Sequence, residues 1–167
     1  AKVACEVLVT TQKVIIAGEI NSSATVDVEK IARKKLAEIG YTHEEIGINA
    51  ETCDVWNFLH EQSADIARGV EQADDVIGAG DQGIMFGYAA SGNDKYMPLP
   101  ISVAHELVRL ASSLRHSGEF VWARPDMKSQ VTIDYTGEPK VDTIVLSIQH
   151  DADYVEEDFL TFIKEQI

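Results

Sequence analysis

Twice in this chain of 167 residues, two strand-like runs joined by a short polar turn lead into a helical pattern, at residues 3–38 and again at 129–167. In the first unit, Val3–Val9 reads as a strand, Thr10-Thr-Gln12 as the turn and Lys13–Glu19 as the hairpin partner. Val26, Val28, Ile31, Ala32, Leu36 and Ile39 then recur at helical spacing. They predict a helix over Val26–Glu38 with Thr25 as N-cap and Gly40 just past its end. Arg33, Lys34 and Lys35 read as a solvated face of that helix. In the second unit, Ser129–Tyr135, the turn Thr136-Gly-Glu-Pro139 and Lys140–His150 read as another hairpin. The final helix, Tyr154–Ile167, should bury Phe159, Phe162 and Ile163. An isolated hairpin cannot bury its apolar face, so each pair needs a cover. The pattern predicts an α+β fold of antiparallel or mixed sheets, each covered on one face by helices.

Between the two units, Cys53–Leu59 alternates like a strand and Tyr41–Asn49 reads as loop. Pro98 and Pro100 precede a strong helix with the stripe Ile101, Ala104, Leu107, Val108, Ala111 and Leu114, closed by Gly118. His105 lies on that stripe and reads as a core histidine. The element order is β-β-α-β, loop, β-α-β-β-α.

At the centre lies Gly78-Ala-Gly-Asp-Gln-Gly-Ile-Met-Phe-Gly-Tyr88. Its glycines suit backbone that passes close to another group or takes positive φ. It is not a dinucleotide fingerprint, which should follow a strand and open a helix. Here only Val76-Ile77 precedes it, and Ile84–Phe86 reads as a strand whose mouth carries Asp81 and Gln82. Residues 63–77 have few packing anchors and read as a mobile loop.

The formal net charge of −14 excludes non-specific nucleic-acid or acidic-membrane binding, which calls for basic patches. No apolar run approaches the roughly 20 residues of a membrane-spanning helix. Cys5 and Cys53 form neither a disulfide framework nor a zinc spacing, and read as buried free thiols in a reducing cytoplasm. The chain opens on Ala1 and ends inside a helical pattern, so both ends read as cuts in a longer protein. Nucleophile elbows, H-E-x-x-H and Walker loops are missing.

Acids are unusual in strands, and Glu6 and Glu19 interrupt two of them. Each faces either solvent or a polar cavity, and spacing does not choose between them. In Arg124-Pro-Asp126-Met127-Lys128, the two cations suit phosphate or carboxylate and the acid suits an amine or hydroxyl. A solvated loop explains the same charges. A ligand carrying an amino group and phosphates is chemically sensible, yet pattern alone does not select it.

Ala4-Cys-Glu6, Gly18-Glu-Ile20, Glu38-Ile-Gly-Tyr41, Glu61-Gln-Ser63, Gly78–Gly83, Met85–Tyr88, Met97-Pro98, Ala104-His105 and Arg124–Val131 together resemble the S-adenosylmethionine synthases (methionine adenosyltransferases). The resemblance runs over nearly the whole chain, and its GAGDQG hexapeptide followed by MFGY is highly specific. It implies a three-domain pseudo-repeat enzyme that joins ATP to L-methionine. The sulfur attacks ribose C5′, and the displaced triphosphate is hydrolysed to phosphate and pyrophosphate. It implies Mg²⁺ and K⁺ as ions, and a homodimer or homotetramer with sites between subunits. It places Glu6 at the potassium site, Glu19, Gln62 and Asp81 at the methionine site, and Asp126, Met127 and Lys128 on ATP. Residues 63–77 become the gate, between a ββαβ unit at 1–62 and the signature strand and turn at 78–97. An αββα unit follows at 98–167.

The family's His-Pro-Asp-Lys motif, with its catalytic histidine, and its lysine-bearing C-terminal segments have no counterpart in these residues. They suit an internal piece of a synthase, or alternatively a non-catalytic binding or regulatory subunit of the family. Either way, the 167 residues alone should not turn over. Incubation with ATP, methionine, Mg²⁺ and K⁺ should yield no S-adenosylmethionine, and turnover at the rate of a complete synthase would refute that expectation.

Overall fold

The computed structural model describes residues 1–61, 63 and 83–167. Gln62, Asp81 and the loop expected at 63–77, apart from Ser63, lie outside the described residues. The chain divides into two compact units, Ala1–Phe86 and Gly87–Ile167.

In the first unit, β1 (Lys2–Thr10) and β2 (Lys13–Asn21) form the expected antiparallel hairpin, running from Lys2 opposite Asn21 to Thr10 opposite Lys13. Gln12 makes the turn at φ 54°. A later strand, β5 (Asp54–His60), lies parallel to β2 on its other edge. The sheet order β1-β2-β5 puts β2 in the centre, which is why Val14 and Ile16 are its most buried residues. Helix α1 (Val28–Ile39) covers one face, closing Leu36 over Val14, Ile16, Ile48, Ala50 and Cys53.

The helix starts two residues later than expected. Asp27, not Thr25, is the cap, its carboxylate accepting the Lys30 N–H at 3.0 Å. An acid there meets both the free N–H groups and the positive end of the helix dipole. Gly40, at φ 110°, ends the helix as expected.

Arg33 corrects the solvated-face reading. It is half-buried and bridges α1 to the turn that enters β5. One guanidinium nitrogen donates to Ala50 O and Glu51 O at 2.9 and 3.1 Å, the other to Cys53 O at 3.0 Å and Glu29 Oε1 at 2.7 Å. The hydrogen bond to Glu29 is the main reason the guanidinium is held above its ordinary pKa. Lys34 and Lys35 remain exposed and pair with Glu38.

Residues 41–49 are more ordered than the loop expected there. Strands β3 (Thr42–His43) and β4 (Ile48–Asn49) flank a 3₁₀ turn, Glu44–Ile46, closed by Gly47 at φ 100°. Ile46 and Ile48 are its buried anchors. Two apolar residues are too few for a periodic signal but enough to pin a short turn. Cys53 is buried and Cys5 half-buried, and both are free thiols.

In the second unit, α2 (Leu99–Ser117) carries Pro100 in its first turn, where a missing N–H costs nothing. Its buried residues are Ser102, Ala104 and Ala111. His105 and Ile101 are exposed, so the expected core histidine is corrected. Small residues face inward because the helix lies close to β6 (Ala123–Asp134), whose Ser129 hydroxyl donates to Ala104 O at 2.6 Å.

Strand β6 pairs antiparallel with β7 (Lys140–His150). It begins earlier than expected and takes in Arg124–Lys128, which therefore lies in a strand and not in a loop. The register slips between Ala123 and Met127, and Pro125 sits within that irregularity. A bulge is where a strand tolerates a residue with no N–H. Helix α3 (Glu156–Gln166) closes the unit, with Phe159 buried and Phe162 and Ile163 packed partly buried beside it.

Residues 83–90 form no strand, contrary to the reading of Ile84–Phe86. Met85 is 98% exposed and Phe86 89%. A strand needs a neighbour for its backbone groups, and no described residue pairs with this one.

Phe120 is 1% exposed and touches both Phe159 and Phe162, with ring centroids 5.1 and 4.6 Å away. Phe120→Ala should therefore destabilise the second unit by about 3–5 kcal/mol, read by urea unfolding. In the β6–β7 turn, the Thr136 N–H and hydroxyl donate to Asp134 Oδ1 at 2.8 and 2.7 Å, and Lys140 lies 3.3 Å from Oδ2. These contacts, the backbone bond foremost, hold the Asp134 carboxyl below the ordinary aspartate range. Its support for the turn is thus full above the unfolded value, near pH 4, and is lost as pH falls through the lower folded value. Carbon-detected NMR titration should place its midpoint below that of an unstructured aspartate, and Thr136→Val should move it part of the way back.

Candidate functional site

Side chains alternate across a strand, so the register divides the first sheet into two faces of opposite character. Cys5, Val7 and Val9 of β1 and Val14 and Ile16 of β2 point toward α1. There they line an apolar cavity of about 360 Å³. The intervening residues point the other way. Across β1, β2 and β5 the rungs of that outer face are Ala4–Glu19–His60, Glu6–Ala17–Phe58, Leu8–Ile15–Trp56 and Thr10–Lys13–Asp54.

Glu6 and Glu19 therefore share one face and sit on adjacent rungs of it, with the Cys5–Gly18 pair between them along the hairpin. Diagonal neighbours of this kind lie about 7–8 Å apart. Glu6 is exposed and Glu19 half-buried. Neither turns into the apolar side. His60 joins Glu19 on the last rung and lies 3.0 Å from the Glu61 carbonyl through Nδ1. No feature of the sequence marks His60 as a neighbour of Glu19, because only the parallel pairing of β5 brings them together.

Beyond the acids the face is apolar. Leu8, Trp56 and Phe58 are exposed there, with Trp56 and Phe58 in edge-to-face contact at 6.4 Å. At its far end, Lys13 bonds Asp54 at 2.7 Å and lies 5.1 Å from the Trp56 ring centre. The Lys13 hydrogen bond holds the Asp54 carboxyl below its ordinary pKa. The face thus runs from two carboxylates and an imidazole, through aromatic surface, to a neutralised ion pair.

The phosphate-binding candidates lie in the second unit. Asp126 and Lys128 are exposed on β6, on either side of Met127 in the chain. Met127 between them turns inward and packs against Phe120, Ala123 and Phe159. Arg124 is not free for a ligand, since its guanidinium pairs with Asp151. Asp151 is itself tied to the strand entry through its N–H, which donates to Trp122 O at 3.0 Å. Among the described residues, no group of three or more His, Cys, Asp or Glu side chains is placed to hold a metal ion. Glu6 can still offer one carboxylate to a hard cation, which prefers oxygen ligands.

A family model for the N-terminal domain of S-adenosylmethionine synthetase matches residues 1–64, and one for its central domain matches residues 76–167. The S-adenosylmethionine synthase of Mesoplasma florum is 57% identical over 169 residues, covering 100% of this chain and 45% of the relative. That of Mycoplasma capricolum is also 57% identical, with 100% of this chain and 44% of the relative covered. That of Phocaeicola vulgatus is 50% identical over 156 residues, covering 90% and 36%. The chain spans less than half the length of these relatives. With both domain models matched in order and identity sustained from end to end, the chain belongs to the S-adenosylmethionine synthetase family.

Proposed function

We propose that the protein carrying this chain forms S-adenosylmethionine from ATP and L-methionine, releasing phosphate and pyrophosphate. The observation that supports this reading best is the shared face of Glu6 and Glu19, each inside a motif of the family. In this reading, Glu19 accepts hydrogen bonds from the methionine ammonium, with Gln62 and Asp81 completing that site. Asp126, Met127 and Lys128 belong to the ATP site. The exposed Lys128 ammonium faces the phosphates, and Met127, with its side chain in the core, contributes through its backbone. Residues 63–77 act as the gate.

The reaction needs no covalent enzyme intermediate. Its barrier is lowered by aligning the sulfur with ribose C5′ and by stabilising charge on the departing triphosphate. Mg²⁺, when bound, supplies positive charge to the triphosphate. Glu6 would provide one carboxylate ligand to K⁺. Its position fits that role, because an exposed carboxylate one rung from Glu19 can share a cation without being buried unpaired.

The chain would supply parts of a three-domain pseudo-repeat, with units at 1–62, 78–97 and 98–167. Homodimers or homotetramers with sites between subunits are consistent with acids and exposed aromatic residues on one sheet face. No helix among the described residues is long and apolar enough to cross a membrane. A cytoplasmic enzyme is the setting we propose.

The test is steady-state kinetics of the complete protein. Glu19→Gln should raise the KM for methionine by about tenfold or more, as loss of a charged hydrogen bond predicts, and leave that for ATP nearly unchanged. Lys128→Met should do the reverse. A parent protein that binds methionine but makes no product would favour the non-catalytic alternative. Unchanged kinetics in both variants would remove these residues from the site.

A further inference from the structure

Gly18 immediately precedes Glu19 on the central strand, with Cys5 opposite it on β1 and Leu59 on β5. It takes φ +140°, where L side chains are rarely found. A Cβ built there would lie 2.1 Å from Ala4 O and 3.0 Å from both Ala4 C and Cys5 Cα. All three are backbone atoms, so no side chain can swing aside to make room. Gly47 provides the contrast. It also has positive φ, at +100°, but a Cβ there would meet nothing within 4 Å.

We propose that Gly18 is a positioning residue, whose bare Cα lets β1 and β2 close to the spacing that holds Glu6 and Glu19 together on the outer face. The inference rests on the roles given to those two acids above. The Cys5–Gly18 pair lies between the Ala4–Glu19 and Glu6–Ala17 pairs. A methyl group at position 18 must push the Ala4–Cys5 backbone away or roll β2 beneath it. Either movement alters the separation of the two carboxylates while leaving their chemistry intact. The α1 side of the sheet is affected less, because Val14 and Ile16 pair with Val9 and Val7 further along the hairpin.

The experiment compares Gly18→Ala and Gly47→Ala in the complete protein, with methionine, ATP and K⁺ each varied and thermal unfolding measured alongside. Gly18→Ala should raise the methionine KM by about tenfold or more, as expected when charged hydrogen bonds are misaligned, and raise the K⁺ concentration for half-activation. The ATP KM should stay within about twofold. Gly47→Ala should lower the melting temperature through backbone strain and leave the methionine and K⁺ parameters as in the parent. If Gly18→Ala does not fold, the double variant Ala4→Gly, Gly18→Ala serves instead, since glycine at position 4 lets the β1 backbone shift away from the new methyl group at lower cost. The same selective rise in methionine KM and K⁺ requirement is then expected. The proposal is overturned if the folded variant keeps parental methionine and K⁺ parameters, or if all parameters decline together with the melting temperature. A parent that makes no S-adenosylmethionine overturns the functional reading and this inference with it. An active parent with unaltered Gly18→Ala kinetics overturns this inference alone.

Discussion

The register of β1 on β2 is the constraint from which the first unit follows. With side chains alternating across the sheet, a slip of one residue would carry Glu6 into the apolar space beneath α1 and lift Val7 to the outer face. Burying an unpaired carboxylate costs several kcal/mol, comparable to the whole stability of a small domain. The observed register avoids that cost along the full hairpin, from Lys2–Asn21 to Thr10–Lys13. Once β2 is set, β5 can join only in a frame that sends Val55 and Leu59 to the helix side and Trp56 and Phe58 outward. The separation of an apolar face from an acid-bearing one is therefore a property of the whole sheet.

Polar contacts then hold the cover in place. Arg33 reaches from α1 to three carbonyls of the Ala50–Cys53 turn, and its bonds to Ala50 O and Cys53 O give partly buried backbone acceptors a partner. Its bond to Glu29 within the helix aligns the guanidinium for that task. In the second unit, Ser129 ties β6 to α2, and Arg124 with Asp151 closes the end of the hairpin. Phe120 and its aromatic neighbours fill the space beneath α3. In both units the outer strand surface keeps exposed apolar residues, such as Phe58 in the first and Val145 in the second.

Both hairpins and three helices were legible from periodicity, because their apolar residues recur over enough positions to outweigh local exceptions. Short or chemically mixed segments were not. Two buried isoleucines pin residues 41–49 with too few positions for a pattern. Arg124–Lys128 carries a proline and three charges that mimic a loop, yet a bulge admits all of them into β6. His105 has helical spacing from Ile101, but both fall on the exposed edge of α2, where a stripe read from spacing alone is drawn too wide. Ile84–Phe86 has strand composition without a described partner. The candidate site was legible by another route. Glu6, Glu19, Asp126 and Lys128 were located by motif, and strand periodicity left the facing of the two glutamates open.

By itself the sequence determined the α+β class, the order of the two hairpin units and the family, since these rest on patterns and motifs carried along the chain. Tertiary structure alone decided that Glu6, Glu19 and His60 meet on one face, that Arg33 and Arg124 are engaged by the protein's own acceptors, and that Gly18 has no room for a Cβ beside the Ala4–Cys5 backbone. These depend on which strands become neighbours and in what register. That pairing joins residues up to tens of positions apart, and it is selected by burial over the whole sheet, a quantity no local run of residues contains.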